Sequence, residues 1–103
     1  MTEQQEQIAR IKWTQQPSVR GVCPGLKFLF HVPNERSDKI QAANLKRMGV
    51  KPGVPDLCLT VPAGEYHGLF IEMKKTGGRT SDDQLWWLEH LKENGYATAV
   101  CYA

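Results

Sequence analysis

Cysteine is scarce in this chain, and its placement excludes a close-spaced zinc motif. Cys23, Cys58 and Cys101 are odd in number and far apart, and no two have the short spacing of a metal-ligand pair. All three fall in or near apolar segments, so buried free thiols in a reducing compartment are expected. Long apolar runs are also missing: none approaches the ~18 residues that cross a bilayer. The start, Met1-Thr2-Glu3-Gln4-Gln5, lacks the basic-then-apolar layout of a signal peptide. An intracellular, cytoplasmic protein without a membrane partner is the expectation. Charge of one sign is weak, with a net +2 and a pI near 8.5. That is too little to indicate a nucleic-acid partner, so any such case rests on where the charges sit. Repeats and low-complexity tracts are absent.

What is present suits one folded domain over residues 1–103. Hydrophobic content of 41% and charged content of 23% are ordinary for a soluble domain, which argues against disorder. Thr2 to Gln15 reads as a helix with a Thr2/Gln5 capping box. Its predicted inner face is Gln4, Ile8, Ile11 and Gln15, with Trp13 packed. Pro17 ends it, and Pro17 to Gly25 reads as a loop. Lys27 to Val32 reads as a strand. Ser37 to Met48 reads as a helix, with Ser37 as N-cap, Gly49 as left-handed C′ residue, and Ile40, Ala43, Leu45 and Met48 as core contacts. Asp56 to Val61 and Gly68 to Lys74 read as the strands of a hairpin. Ser81 to Asn94 is a capped helix with a Leu85/Leu88/Leu91 stripe, ended by Gly95. Tyr96 to Tyr102 reads as a last strand. The order predicts an α/β fold, a mixed central β-sheet flanked by helices.

The chemistry sits in the hairpin. Side chains alternate along a strand, so Glu72 and Lys74 share a face while Leu69, Ile71 and Met73 take the other. Pairing the strands can bring Asp56 beside Glu72. Two close carboxylates are costly without a cation between them, and Mg²⁺ or Mn²⁺ prefers such oxygen ligands. The backbone carbonyl of Met73 can add a third. A site of this kind suits phosphodiester hydrolysis, with Lys74 as a positive charge beside the phosphate. Spacing alone also fits an ordinary cross-strand Lys–Glu pair on a sheet surface.

The wider pattern discriminates. Pro55-Asp56, followed sixteen positions later by Glu72-Met73-Lys74, is similar to the PD-(D/E)XK motif of a nuclease superfamily. More specifically, the chain resembles the virus-type replication-repair nuclease (VRR-NUC) domain. The matching pieces are Gly53-Val54-Pro55-Asp56-Leu57, Gly68-Leu69-Phe70-Ile71-Glu72-Met73-Lys74, Ser81-x-x-Gln84 with Trp87-Leu88, and Gly95-Tyr96. The segments His31-Val32-Pro33-Asn34 and Leu45-Lys46-Arg47-Met48-Gly49-Val50 resemble phage members, and Glu3-Gln4-Gln5-Glu6-Gln7 resembles the family's first helix. The similarity covers nearly the whole chain and implies a restriction-endonuclease-like core.

The resemblance implies a metal site of Asp56, Glu72 and an acid of the first helix, with Lys74 as catalytic lysine. That acid is Glu6 or Glu3; Glu6 is preferred because Glu3 is nearer a fraying end. It also implies that Gln84 lies by the active site, although the capping box accounts for the same residue. Likeness to small stand-alone phage members implies a homodimer that cuts four-way (Holliday) junctions. A flap nuclease, and a binding module without activity, are the alternatives. Lys39, Lys46, Arg47, Lys51, Lys75 and Arg79 are candidate DNA contacts if the fold gathers them on one rim. The Gly77-Gly78 loop is a candidate substrate contact. Asn34 is either a DNA contact or an Asx turn. His31, His67 and His90 have no ligand spacing and are read as non-catalytic.

Overall fold

A computed structural model describes residues 2–33 and 39–102. The elements are α1 (Glu3–Thr14), α2 (Pro17–Val22), a 3₁₀ turn (Pro24–Phe28), β1 (Leu29–His31), α3 (Lys39–Arg47), β2 (Leu57–Leu59), β3 (Leu69–Lys74), α4 (Asp82–Glu93) and β4 (Ala97–Tyr102). The sheet runs in the order β1-β2-β3-β4. β1 and β2 are antiparallel, as are β2 and β3, while β4 lies parallel to β3. The parallel pair needs a crossover, and α4 supplies it. The result is the expected mixed α/β architecture.

Helix starts follow their caps. Thr2 Oγ1 accepts from Gln5 N at 3.1 Å, and Thr2 N donates to Gln5 Oε1 at 2.9 Å. Ser81 and Gln84 make the same reciprocal pair at the start of α4. α4 ends in a Schellman arrangement: Gly95 has φ 92°, and Tyr96 N donates to Leu91 O at 3.0 Å.

Several expectations are corrected. The segment Pro17 to Gly25 is not a loop, because Pro17 opens α2 and Pro24 opens the 3₁₀ turn. Proline is well tolerated at a first helical position, where its missing N–H had no partner to lose. The two strands read at 27–32 and 56–61 shrink to Leu29–His31 and Leu57–Leu59. The inner face of α1 is Gln7, Arg10, Ile11 and Thr14; Ile8 and Trp13 are exposed. This helix turns a polar face to a polar cavity, so apolar periodicity misplaced its inner side by about one residue. On α4, Leu88 and Leu91 are buried, whereas Leu85 is 48% exposed. The stripe begins at Gln84, four residues before Leu88, and Leu85 lies one step around the helix. Ala43 and Met48 are exposed, and so are Cys23 and Cys101; Cys58 alone of the thiols is buried. The proposed N-cap Ser37, the Ile40 side chain and Asn34 lie outside the described residues.

The buried apolar residues are Leu57 and Cys58 of β2, which alternation points to opposite faces of the sheet, and Leu88 and Leu91 of α4, with Pro55 fully buried just before β2. Gly53 locks the loop leading to Pro55 against α4. Its φ is 85°, and a Cβ there would lie 2.6 Å from the Asp83 backbone carbonyl carbon. Gly53→Ala is therefore expected to cost about 2 kcal/mol or more, combining left-handed strain with the clash. A urea midpoint unchanged from the parent would refute this.

Candidate active site

Asp56 stands one residue before β2. Extending the β2–β3 register, in which Leu57 faces Ile71, sets Asp56 opposite Glu72. The Asp56 carboxylate accepts from Met73 N, with Oδ2 at 2.9 Å. In an antiparallel ladder a residue directs its N–H and C=O to the same side, so the Met73 carbonyl also faces the Asp56 side.

Glu72 and Lys74 share a face of β3, as alternation predicts, with Lys74 Nζ 3.7 Å from Glu72 Oε1. That face is not a solvated surface, because Glu72 is only 3% exposed. α4 covers it. Gln84 Nε2 donates to Glu72 Oε1 at 3.0 Å, while Gln84 Oε1 accepts from Lys74 Nζ at 2.6 Å and from Ser81 N at 2.9 Å. Gln84 thus completes the capping box of α4 and at the same time bridges Glu72 and Lys74. Ser81→Ala is expected to cost about 1 kcal/mol as a lost cap. It should also loosen the Gln84 bridge, which a thermal melt combined with side-chain NMR of Gln84 would reveal.

The remaining oxygen, Glu72 Oε2, is buried and has no hydrogen-bond partner among the described residues. Burial, reinforced by neighbouring Asp56, pushes the Glu72 carboxyl up to about 7, and Lys74 only partly offsets this. An orphaned carboxylate oxygen beside a second carboxylate fits a hard divalent cation, which prefers oxygen ligands. Asp56, Glu72 and the Met73 carbonyl are the donors that could hold it. Among the described residues no three His, Cys, Asp or Glu side chains cluster closely enough to bind a metal by themselves.

A cavity of about 400 Å³ opens over these groups, lined on the α1 side by Glu6, Gln7 and Arg10. Glu6 is therefore at the site, but its carboxylate lies 3.7 Å from Arg10 Nη2 and is already partnered. The Glu3 side chain lies outside the described residues, as does that of Lys39. Lys75, Gly78 and Arg79 line the cavity from the loop after β3. Lys46, Arg47 and Lys51 are exposed but are not among the lining residues, so the fold brings only part of the basic set to the site. Gln7 and Arg10 line the cavity without having been expected there, and His31, read as non-catalytic, lines it too. The signal available was Arg10, which stands four residues after Glu6 and three after Gln7 and so is a helix-surface neighbour of both.

A mixed sheet carrying a buried glutamate, a half-buried aspartate and a braced lysine at one strand end defines an α/β domain with a charged, polar site. The chain belongs to the VRR-NUC domain family, whose model matches residues 1–103. A solved structure described as a VRR_NUC domain protein has a TM-score of 0.75 and 34% identity, covering 100% of this chain and 78% of that one. The Fanconi-associated nuclease 1 homolog of Pseudomonas aeruginosa is 39% identical over 54 residues. That match takes in 52% of this chain and 10% of the relative's length. No described helix is long and apolar enough to cross a membrane.

Proposed function

We propose that residues 1–103 form a single nuclease domain, a Mg²⁺- or Mn²⁺-dependent endonuclease acting on structured DNA. The observation that carries this is the buried Glu72 Oε2 beside Asp56, without a hydrogen-bond partner among the described residues, with Lys74 held on the same face by Gln84. Family membership supports it. Asp56, Glu72 and the Met73 carbonyl would hold the cation, with Glu6 or Glu3 reaching it from α1. When bound, the cation supplies phosphate polarisation and a water of lowered pKa.

The chain's own groups do the rest. Lys74 presents a fixed positive charge where the phosphate gains negative charge during attack. Gln84 restrains that amine and steadies Glu72, so neither has to reorganise during the reaction. Lys75 and Arg79, which line the cavity, would contact DNA phosphates, and Asn34, Lys39, Lys46, Arg47 and Lys51 are further candidates for such contacts. The substrate we favour is a four-way junction cut by a homodimer, since a two-fold assembly presents two sites to a two-fold substrate. An intracellular setting, in a bacterial or phage-infected cell, suits such a substrate.

The test is cleavage of junction, flap and linear duplex DNA with Mg²⁺ or Mn²⁺, alongside the protein's mass in solution. Metal-dependent cutting of junctions by a dimer is expected. Equal cutting of all three substrates would overturn the junction preference, and metal-independent tight binding without cutting would overturn the enzymatic reading.

A further inference from the structure

Asp56 needs explanation as a backbone position before it can act as a ligand. It stands outside β2, so the regular β2–β3 ladder does not hold it. The residue before it is Pro55, which has no N–H to anchor the chain. Two donors meet its carbonyl oxygen instead. Val32 N donates to Asp56 O at 2.7 Å, and His31 Nδ1 lies 3.0 Å from the same oxygen. A carbonyl only accepts, so the His31 proton of that bond is on Nδ1. The His31 ring itself lines the cavity with Asp56.

We propose that His31 is a positioning residue of this site: its Nδ1–H, with the Val32 amide, pins the Asp56 carbonyl and so sets where the Asp56 carboxylate stands. The inference rests on the reading that this carboxylate is a metal ligand. Three hydrogen bonds then immobilise residue 56, two at the carbonyl and one from Met73 N to the side chain. A ligand carboxylate must be held to about 0.5 Å for a cation site to keep its geometry, and loop positions seldom achieve that unaided. β1 is only three residues long, and this side chain extends its grip past the end of its ladder.

The test uses the full chain and two variants, His31→Phe and His31→Asn. Phenylalanine keeps the ring volume and loses the donor; asparagine can offer an amide N–H close to where Nδ1 stands. Mn²⁺ binding without DNA is measured by calorimetry, and kcat and KM are measured on a cleaved DNA. His31→Phe is expected to weaken Mn²⁺ binding about 10–100-fold, as loss of supporting groups does at metal sites. Its kcat should fall while KM for DNA holds, and His31→Asn should recover most of the Mn²⁺ affinity. A folded His31→Phe that binds Mn²⁺ like the parent overturns the inference while leaving the metal reading intact. If His31→Phe fails to fold, His31→Asn decides: parent-like Mn²⁺ binding supports the role, and loss overturns it. A parent that takes up no Mn²⁺ overturns the metal reading, and this inference with it.

Discussion

Asp56→Asn, Glu72→Gln and Lys74→Met are each expected to abolish most DNA cleavage while leaving the protein folded. The two carboxylate changes remove cation charge compensation worth several kcal/mol in the transition state, which is roughly 10³-fold in rate or more. Lys74→Met removes one preorganised charge and should cost about 10²–10³-fold. Single-turnover kinetics on a saturating junction separates these losses from weaker DNA binding. The packing context makes the folding expectation specific. Glu72→Gln can keep the oxygen that accepts from Gln84 Nε2 at 3.0 Å, while it removes the charge and puts an amide NH2 in place of Oε2. Any one of the three variants cutting at the parental rate would remove that residue from the site.

The second large effect is on stability. The Glu72 carboxyl titrates at about 7 in the folded protein against 4.5 for a free glutamate. A folded value above the unfolded one means that the native state binds the extra proton between those two values. The stabilisation is complete below about pH 4.5 and is lost as pH rises through 7. The metal-free protein is therefore expected to lose on the order of 2 kcal/mol from this group between pH 5 and 8, since each tenfold in proton affinity is about 1.4 kcal/mol. Glu72→Gln cannot ionise, so it should be more stable than the parent at pH 8 without metal, and the gap should close at pH 5. Mn²⁺ should reverse the order at pH 8, because a cation binds the ionised parent and its uptake expels the proton. Parallel melting curves for parent and variant across this range would show that the Glu72 environment is not as costly as its burial implies.

The two effects share an origin. The same burial that makes an empty, ionised Glu72 expensive is what would make a cation there effective, because charges interact more strongly away from water. An acid pair on a solvated strand face would give neither result.

The sequence by itself determined the capped helices and the grouping of Glu72 with Lys74 on one strand face. Caps are short-range chemistry, so Thr2/Gln5 and Ser81/Gln84 were legible as helix starts, and both form. Strand alternation put Glu72 and Lys74 on one face, and the motif order around Pro55-Asp56 pointed to the family that the chain belongs to. Only the tertiary structure decided how that face is covered. Nothing in the local pattern indicated that Gln84 would start the buried stripe of α4 in place of Leu85, or that it would bridge Glu72 and Lys74. The polar inner face of α1 was hidden for the same reason. Periodicity finds a helix side that meets apolar neighbours, whereas Glu6, Gln7 and Arg10 meet a polar cavity. His31 lies 25 residues from Asp56 in the chain, and its bond to that carbonyl exists only because β1 and β2 pair in this register.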